Sequence, residues 1–305
     1  MTMWFDILKE YSLRRLSFES DRLDAVSSLA QRLAGILQDE YVGGLWKNDI
    51  LTCLQWSHAY EDGYQFATRG HACGAPTWSW ASVGYDPDDS RGGGVAMDSL
   101  YSTATADEAA GAGVPLVRVL DLNWSPRSAG NPFGNLSEAR ITLSGRLLRG
   151  YAYRRRAGPD VWREMVTHVA EDLDELPQER ITHHPDYNSE GYKSYAASAF
   201  SRNHWWIHVC GERAGERARL IMMLNPDTRD CVVEDEEGGC FLHLLPLADY
   251  PAPKEGALTL LDRQAARLFC LVLKELADGT FERVGCVRVS AKYLMKAKER
   301  TVVLV

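Results

Sequence analysis

The sequence predicts an α+β protein: a short N-terminal helical segment followed by a large, mainly antiparallel β body, closed as a barrel or packed as a sandwich. Three observations carry this. Between Ser20 and Gln38 the apolar residues recur at three- and four-residue spacing, the period of a helix with one buried face. Beyond about Thr68 the pattern becomes short runs of Val, Leu, Trp and Tyr bounded by Gly, Pro, Asn and Asp, which is strand-and-turn punctuation. No strand is followed by a long helical stretch, so the parallel βαβ architecture is not indicated.

In the helical part, Leu23, Val26, Leu29, Ala30, Leu33, Ile36 and Leu37 form the apolar stripe, with Ser20 placed to cap the helix and Asp21 at its positive end. A second helix is expected after Asn48, running through Ile50, Leu51, Cys53, Leu54 and Trp56. Tyr41 to Trp46 links the two, where Gly43 and Gly44 permit a tight reversal and Trp46 offers a large apolar anchor. Residues 1–67 are thus the helical segment and residues 68–305 the β body, together one compact unit.

The expected strands are Thr77 to Val83, Leu116 to Asn123, Ala139 to Leu148, His204 to Cys210, Ala218 to Leu224, Cys240 to Leu247, Arg267 to Glu275 and Phe281 to Val289. Glu234 to Gly239 has the charge and glycines of a hairpin loop, and Asp278-Gly279 turns the last pair. Gly84 to Gly113 and Glu171 to Tyr195 have no period and read as surface loops or lids. The run Arg154-Arg155-Arg156 reads as a solvated turn.

Composition limits the function. Of 305 residues, 45% are hydrophobic and 25% charged, enough apolar surface to build a core and unlike a disordered chain. A net charge of -8 opposes a nucleic-acid backbone or an anionic leaflet, so neither partner is expected. The first ten residues carry Asp6, Lys9 and Glu10 and lack the pattern of a signal peptide, and no uncharged apolar run approaches a membrane span. The seven cysteines are odd in number and scattered, as reduced thiols of a cytoplasmic protein would be.

No complete catalytic or cofactor motif occurs: there is no G-x-S-x-G elbow, no G-x-G-x-x-G and no phosphate-binding loop. No cofactor or metal is therefore expected. His204, His208 and Cys210 share a strand face as if to ligate zinc, but residues four apart on a strand lie roughly 13 Å from each other, too far for one ion. Trp78 and Trp80 would share a strand face. They would either wall an apolar ligand or fill the core, and residue type favours the core. His183 and His184 read as solvated loop residues.

Tyr11-Ser12-Leu13-Arg14-Arg15-Leu16-Ser17, Asp21-Arg22-Leu23, Tyr41-Val42-Gly43-Gly44-Leu45-Trp46, Leu54-Gln55-Trp56 and Ala75-Pro76-Thr77-Trp78-Ser79-Trp80-Ala81-Ser82-Val83 resemble, in order and spacing, the segment that follows the HET domain in fungal heterokaryon-incompatibility proteins. The stretch from Phe269 through Phe281-Glu282-Arg283-Val284-Gly285 is similar to their closing strands. The signalling domain that names the family would precede Trp4, so the resemblance implies a free-standing β-rich module of fungal, cytosolic origin.

Two functions fit such a module. In the first it is a cofactor-free cyclase or pericyclase of fungal secondary metabolism, for example of hetero-Diels–Alder type, that encloses an apolar small molecule and holds it in a reactive pose. His71, Tyr85 and His204 would then be the polar catalytic groups, and Trp78, Trp80 and Trp206 the substrate-binding wall. In the second it is a non-catalytic interaction module that engages a protein partner through its β surface.

Overall fold

The computed structural model describes residues 2–12, 14, 16–58, 68–69, 74–84, 95–97, 113–156, 203–210, 217–223, 225–226, 239–250, 268–289, 291, 294 and 297–305. It shows an α+β chain with helices near the N-terminus and a large, mostly antiparallel β body.

Helix α1 spans Thr2–Ser12 and α2 spans Arg22–Leu37. On α1, which was not expected, Trp4, Phe5 and Leu8 are buried; of the stripe expected on α2, Leu23, Val26, Ala30 and Leu33 are buried, whereas Leu29, Ile36 and Leu37 are exposed. The expected capping does not form. Asp21 occupies the N-cap position without a side-chain bond, and the Ser20 hydroxyl donates to Asp21 Oδ1 at 3.2 Å instead. The start of α2 is held by Asp24, whose carboxylate accepts Asn131 Nδ2 at 2.9 Å, Asn135 N at 3.2 Å and Asn135 Nδ2 at 2.8 Å. A carboxylate in the first turn also suits the helix dipole.

Strands β1 (Tyr41–Val42) and β2 (Leu45–Trp46) form a hairpin around Gly43 and Gly44, both at positive φ. The second helix is much shorter than predicted. Helix α3 is the single turn Ile50–Cys53, preceded by Asp49, not Asn48, and Trp56 belongs to β3 (Trp56–His58). The reason is tertiary: β3 pairs with β6 (Val95–Met97), inside a stretch expected to be irregular.

The expected strand Thr77 to Val83 is a correction as well. Thr77 and Trp78 form a turn, Trp80–Ser82 is a single 3-10 turn, and only β5 (Val83–Gly84) is extended, pairing with β4 (Thr68–Arg69). Ser79 at its N-cap accepts the Ala81 N–H at 3.1 Å and donates to Gly43 O. Local side-chain to backbone bonding has here displaced the strand.

The β body contains β7 (Val114–Pro115), β8 (Arg118–Pro126), β9 (Leu136–Arg156), β10 (Asn203–Cys210), β11 (Arg217–Met223), β12 (Asn225–Pro226), β13 (Gly239–Asp249), β14 (Leu268–Glu275), β15 (Phe281–Val289) and β16 (Lys298–Leu304). The 21-residue β9 organises it: its first part pairs with β8 and β16, its last with β10 and β13. From β9 the pairings run through β16, β15, β14 and β13 and return to β9, so the sheet closes on itself. All are antiparallel except β15 with β16, which meet in parallel at Phe281 and Leu304. Asp278-Gly279 makes the β14–β15 turn as read, with Gly279 at φ 81°. Arg154 to Arg156 end β9 and pair with β10, so they are not a turn. Of the expected loops, Glu171 to Tyr195 and Glu234 to Gly238 lie outside the described residues.

Alternation along these strands produces two cores. Leu148, Ala152, Ile207, Leu242, Leu244, Leu268, Cys270, Val272, Val287 and Val289 form one of them. On the other face Leu143, Leu245, Leu247, Phe269, Leu271, Leu273, Phe281, Val302 and Leu304 pack with α1, α2 and the tryptophans.

Candidate functional site

The N-terminal layer packs over part of one face of the sheet. There the aromatic residues are packed tightly. Trp46, Trp56, Trp78 and Trp80 are each 0% exposed, and Trp4 Nε1 and Trp80 Nε1 both donate to Gly44 O, at 3.0 and 2.9 Å. Trp56 Nε1 donates to Trp78 O at 2.9 Å. Trp78 and Trp80 therefore lie in the core on either side of a turn, and not side by side on a strand. Burial pushes the Tyr41 hydroxyl far above its ordinary range and the Cys53 thiol up to about 12, which keeps both groups in their neutral forms.

Of the other residues named from the sequence, His204 and Trp206 sit on β10, opposite Arg155 and Tyr153 of β9; their side chains lie outside the described set, as do His71 and Tyr85 altogether. The β9–β10 ladder is unbroken from Asn203 to Val209, so the extended spacing that argues against shared zinc ligation by His204 and His208 holds for the backbone. Among the described residues no three His, Cys, Asp or Glu side chains are grouped as metal ligands, and no helix is long and apolar enough to cross a membrane.

The described residues bring together a different set. The registers place Arg149, His243, Leu273 and Arg283 in one row across β9, β13, β14 and β15. Exposure falls along this row from Arg149 at the surface to Arg283, which is 0% exposed. Arg283 lies over the Trp56 ring at 3.5 Å and donates to Leu54 O at 2.8 Å and Trp56 O at 2.6 Å. Its main-chain N–H donates to Thr77 Oγ1 at 3.1 Å. It ties the β body to the N-terminal layer as a cation stacked on an indole, a contact that strengthens when water is excluded.

At the open end, His243 Nε2 lies 3.1 Å from Glu275 Oε2. Partial burial lowers the imidazole's proton affinity first, Glu275 raises it, and Arg300 and Arg149 lower it again. The net direction is downward, so at neutral pH the contact is a hydrogen bond from a neutral Nε2–H to the carboxylate, with the ring edge-on to Phe281 at 5.6 Å. Beside it the Arg149 guanidinium lies 4.0 Å over the Phe241 ring, which also meets Tyr151 edge-on at 5.0 Å. Phe241 is 54% exposed. His243, Glu275, Phe241 and Arg149 were not singled out by sequence reasoning. The available signal was the alternation of Cys240 to Leu244, which turns Phe241 and His243 to the same face.

Comparison with protein-family models, with curated proteins and with solved structures found no match.

Proposed function

We propose that this chain is a protein-interaction module, a reading compatible with its resemblance to the region after the HET domain, and that it docks a partner through the sheet face around Phe241, Tyr151 and Arg149. The observation that carries this reading is where the aromatic residues lie. The tryptophans of the N-terminal layer are packed in the core, whereas Phe241 is left exposed under a guanidinium, on β13 where it pairs with β9. Aromatic residues with arginine are the composition of protein interfaces. The test compares cross-linked partners of the wild-type chain with those of Phe241→Ser and Arg149→Ser variants in the source cell. Partners lost from the variants support the reading; identical partner sets from correctly folded variants refute it.

Cofactor-free cyclisation of an apolar polyene or quinone methide is the second reading, and one observation favours it. Arg149 and Arg300, which flank His243, are donors able to polarise a carbonyl. Among the described residues, however, Trp78 and Trp80 supply no wall for such a guest, because they are packed in the core. Incubation with such substrates decides it: unchanged rate and stereochemistry in the presence of the protein defeat the cyclase.

A further inference from the structure

We infer that the partner segment received by this face is acidic and extended, with two carboxylates about four residues apart and an apolar side chain two residues beyond the second. This inference rests on the docking reading above and names the chemistry of its occupant. Arg149 and Arg300 are both exposed, and neither guanidinium enters an ion pair or a side-chain hydrogen bond among the described residues. Elsewhere Lys47 is paired with Glu40, Arg140 with Glu138, and Arg146 Nη1 donates to Leu294 O. Among the described residues the carboxylate against His243 is that of Glu275, whose single negative charge offsets only one of the two guanidinium charges. The patch therefore keeps a net positive charge on a chain whose net charge is -8.

The overall negative charge does not forbid an acidic partner. At physiological salt, charges more than roughly 8 Å away are screened, so the patch and not the whole molecule decides the encounter. The register sets the spacing. Arg300 stands opposite Gly145 of β9, and Arg149 is four residues further along the same strand, a separation of about 13 Å along the strand. A bound extended segment rises at nearly the same rate per residue, so its carboxylates at that interval reach both forks. Guanidinium suits this task because it holds a carboxylate through two parallel hydrogen bonds. Phe241, opposite Tyr151 and two residues past Arg149 in the ladder, then receives the apolar side chain.

The experiment is fluorescence anisotropy with labelled peptides of about 15 residues. One carries glutamates four apart followed by leucine, and a second has the glutamates replaced by glutamine. The acidic peptide should bind saturably, weaken roughly tenfold in the Arg149→Glu, Arg300→Glu double variant, and weaken further as salt is raised. Circular dichroism checks that the double variant is folded, which exposed substitutions should allow. Equal binding of the glutamine peptide overturns the acidic chemistry while leaving the docking face intact. Acidic-peptide binding that ignores the double substitution overturns the assignment to these arginines. No binding by either peptide overturns the inference, and the docking reading falls with it only if Phe241→Ser also leaves the cross-linked partners unchanged.

Discussion

Two glycines of similar backbone conformation provide a controlled measurement of how much the tryptophan corner contributes to stability. Gly44 has φ 98° and Gly279 has φ 81°, conformations that cost an L-residue about 1 to 2 kcal/mol. At Gly279 an added Cβ meets nothing within 4 Å, so Gly279→Ala should cost only that backbone term. At Gly44 the same atom would fall against the Trp80 indole, with Cε2 at 3.0 Å and Cδ1 at 3.1 Å. The carbonyl of this residue also accepts both Trp4 Nε1 and Trp80 Nε1. Overpacking a filled core costs about 1 to 3 kcal/mol, and disturbing two buried hydrogen bonds about 0.5 to 1.5 kcal/mol each. Gly44→Ala should therefore lose at least about 2 kcal/mol more than Gly279→Ala. Urea unfolding followed by tryptophan fluorescence measures both, with an unchanged slope showing that the unfolded state is comparable. Equal losses in the two variants would refute the packing of Trp80 against Gly44.

Other substitutions test other joints of the molecule. Arg283→Met leaves the Leu54 and Trp56 carbonyls without this donor and should cost about 2 to 6 kcal/mol in urea unfolding, about 1 to 3 for each buried carbonyl left unsatisfied. Arg283→Lys keeps the charge but not the planar fork, and should fall between the wild type and Arg283→Met. Asn135→Ala removes the bonds to Ser20 O at 2.7 Å and to Asp24 Oδ2 at 2.8 Å; an expected loss of about 1 to 2 kcal/mol would appear as faster amide exchange at the start of α2. His243 titrates below its ordinary value of 6.5 in the folded chain, so as pH falls through that value the unfolded state takes up the proton first. The melting temperature should accordingly drop on going from neutral to mildly acidic pH, and His243→Gln should lose that part of the dependence. A wild-type melting temperature that rises over the same interval would reverse the assigned direction.

Much of the β body is legible from local pattern. Phe281–Val289 matches its expected bounds, and Leu268–Glu275 begins one residue after its expected start, because an apolar run ending in a glycine turn has few alternatives. Strand β16 was not expected because its first four residues, Lys298 to Thr301, are all exposed; only its place beside β9 makes them a strand. Helix α1 shows its stripe in Trp4, Phe5 and Leu8, yet the interleaved Asp6, Lys9 and Glu10 drew attention to charge instead of period. The row from Arg149 to Arg283 has no sequence signature, since its members lie 134 positions apart from first to last (283 less 149) and meet only through strand register.

By itself the sequence determined the class of fold, the part of the α2 stripe from Leu23 to Leu33 apart from Leu29, and most of the long strands, since each depends on the spacing of apolar side chains within one segment. The tertiary structure alone decided the rest. Trp78 and Trp80 became a core corner because a turn held by Ser79 and Gly43 was more favourable than a strand, and His243 and Arg149 became neighbours because β13 closes the sheet against β9. Both outcomes depend on contacts between residues far apart in the chain, where no local period carries information.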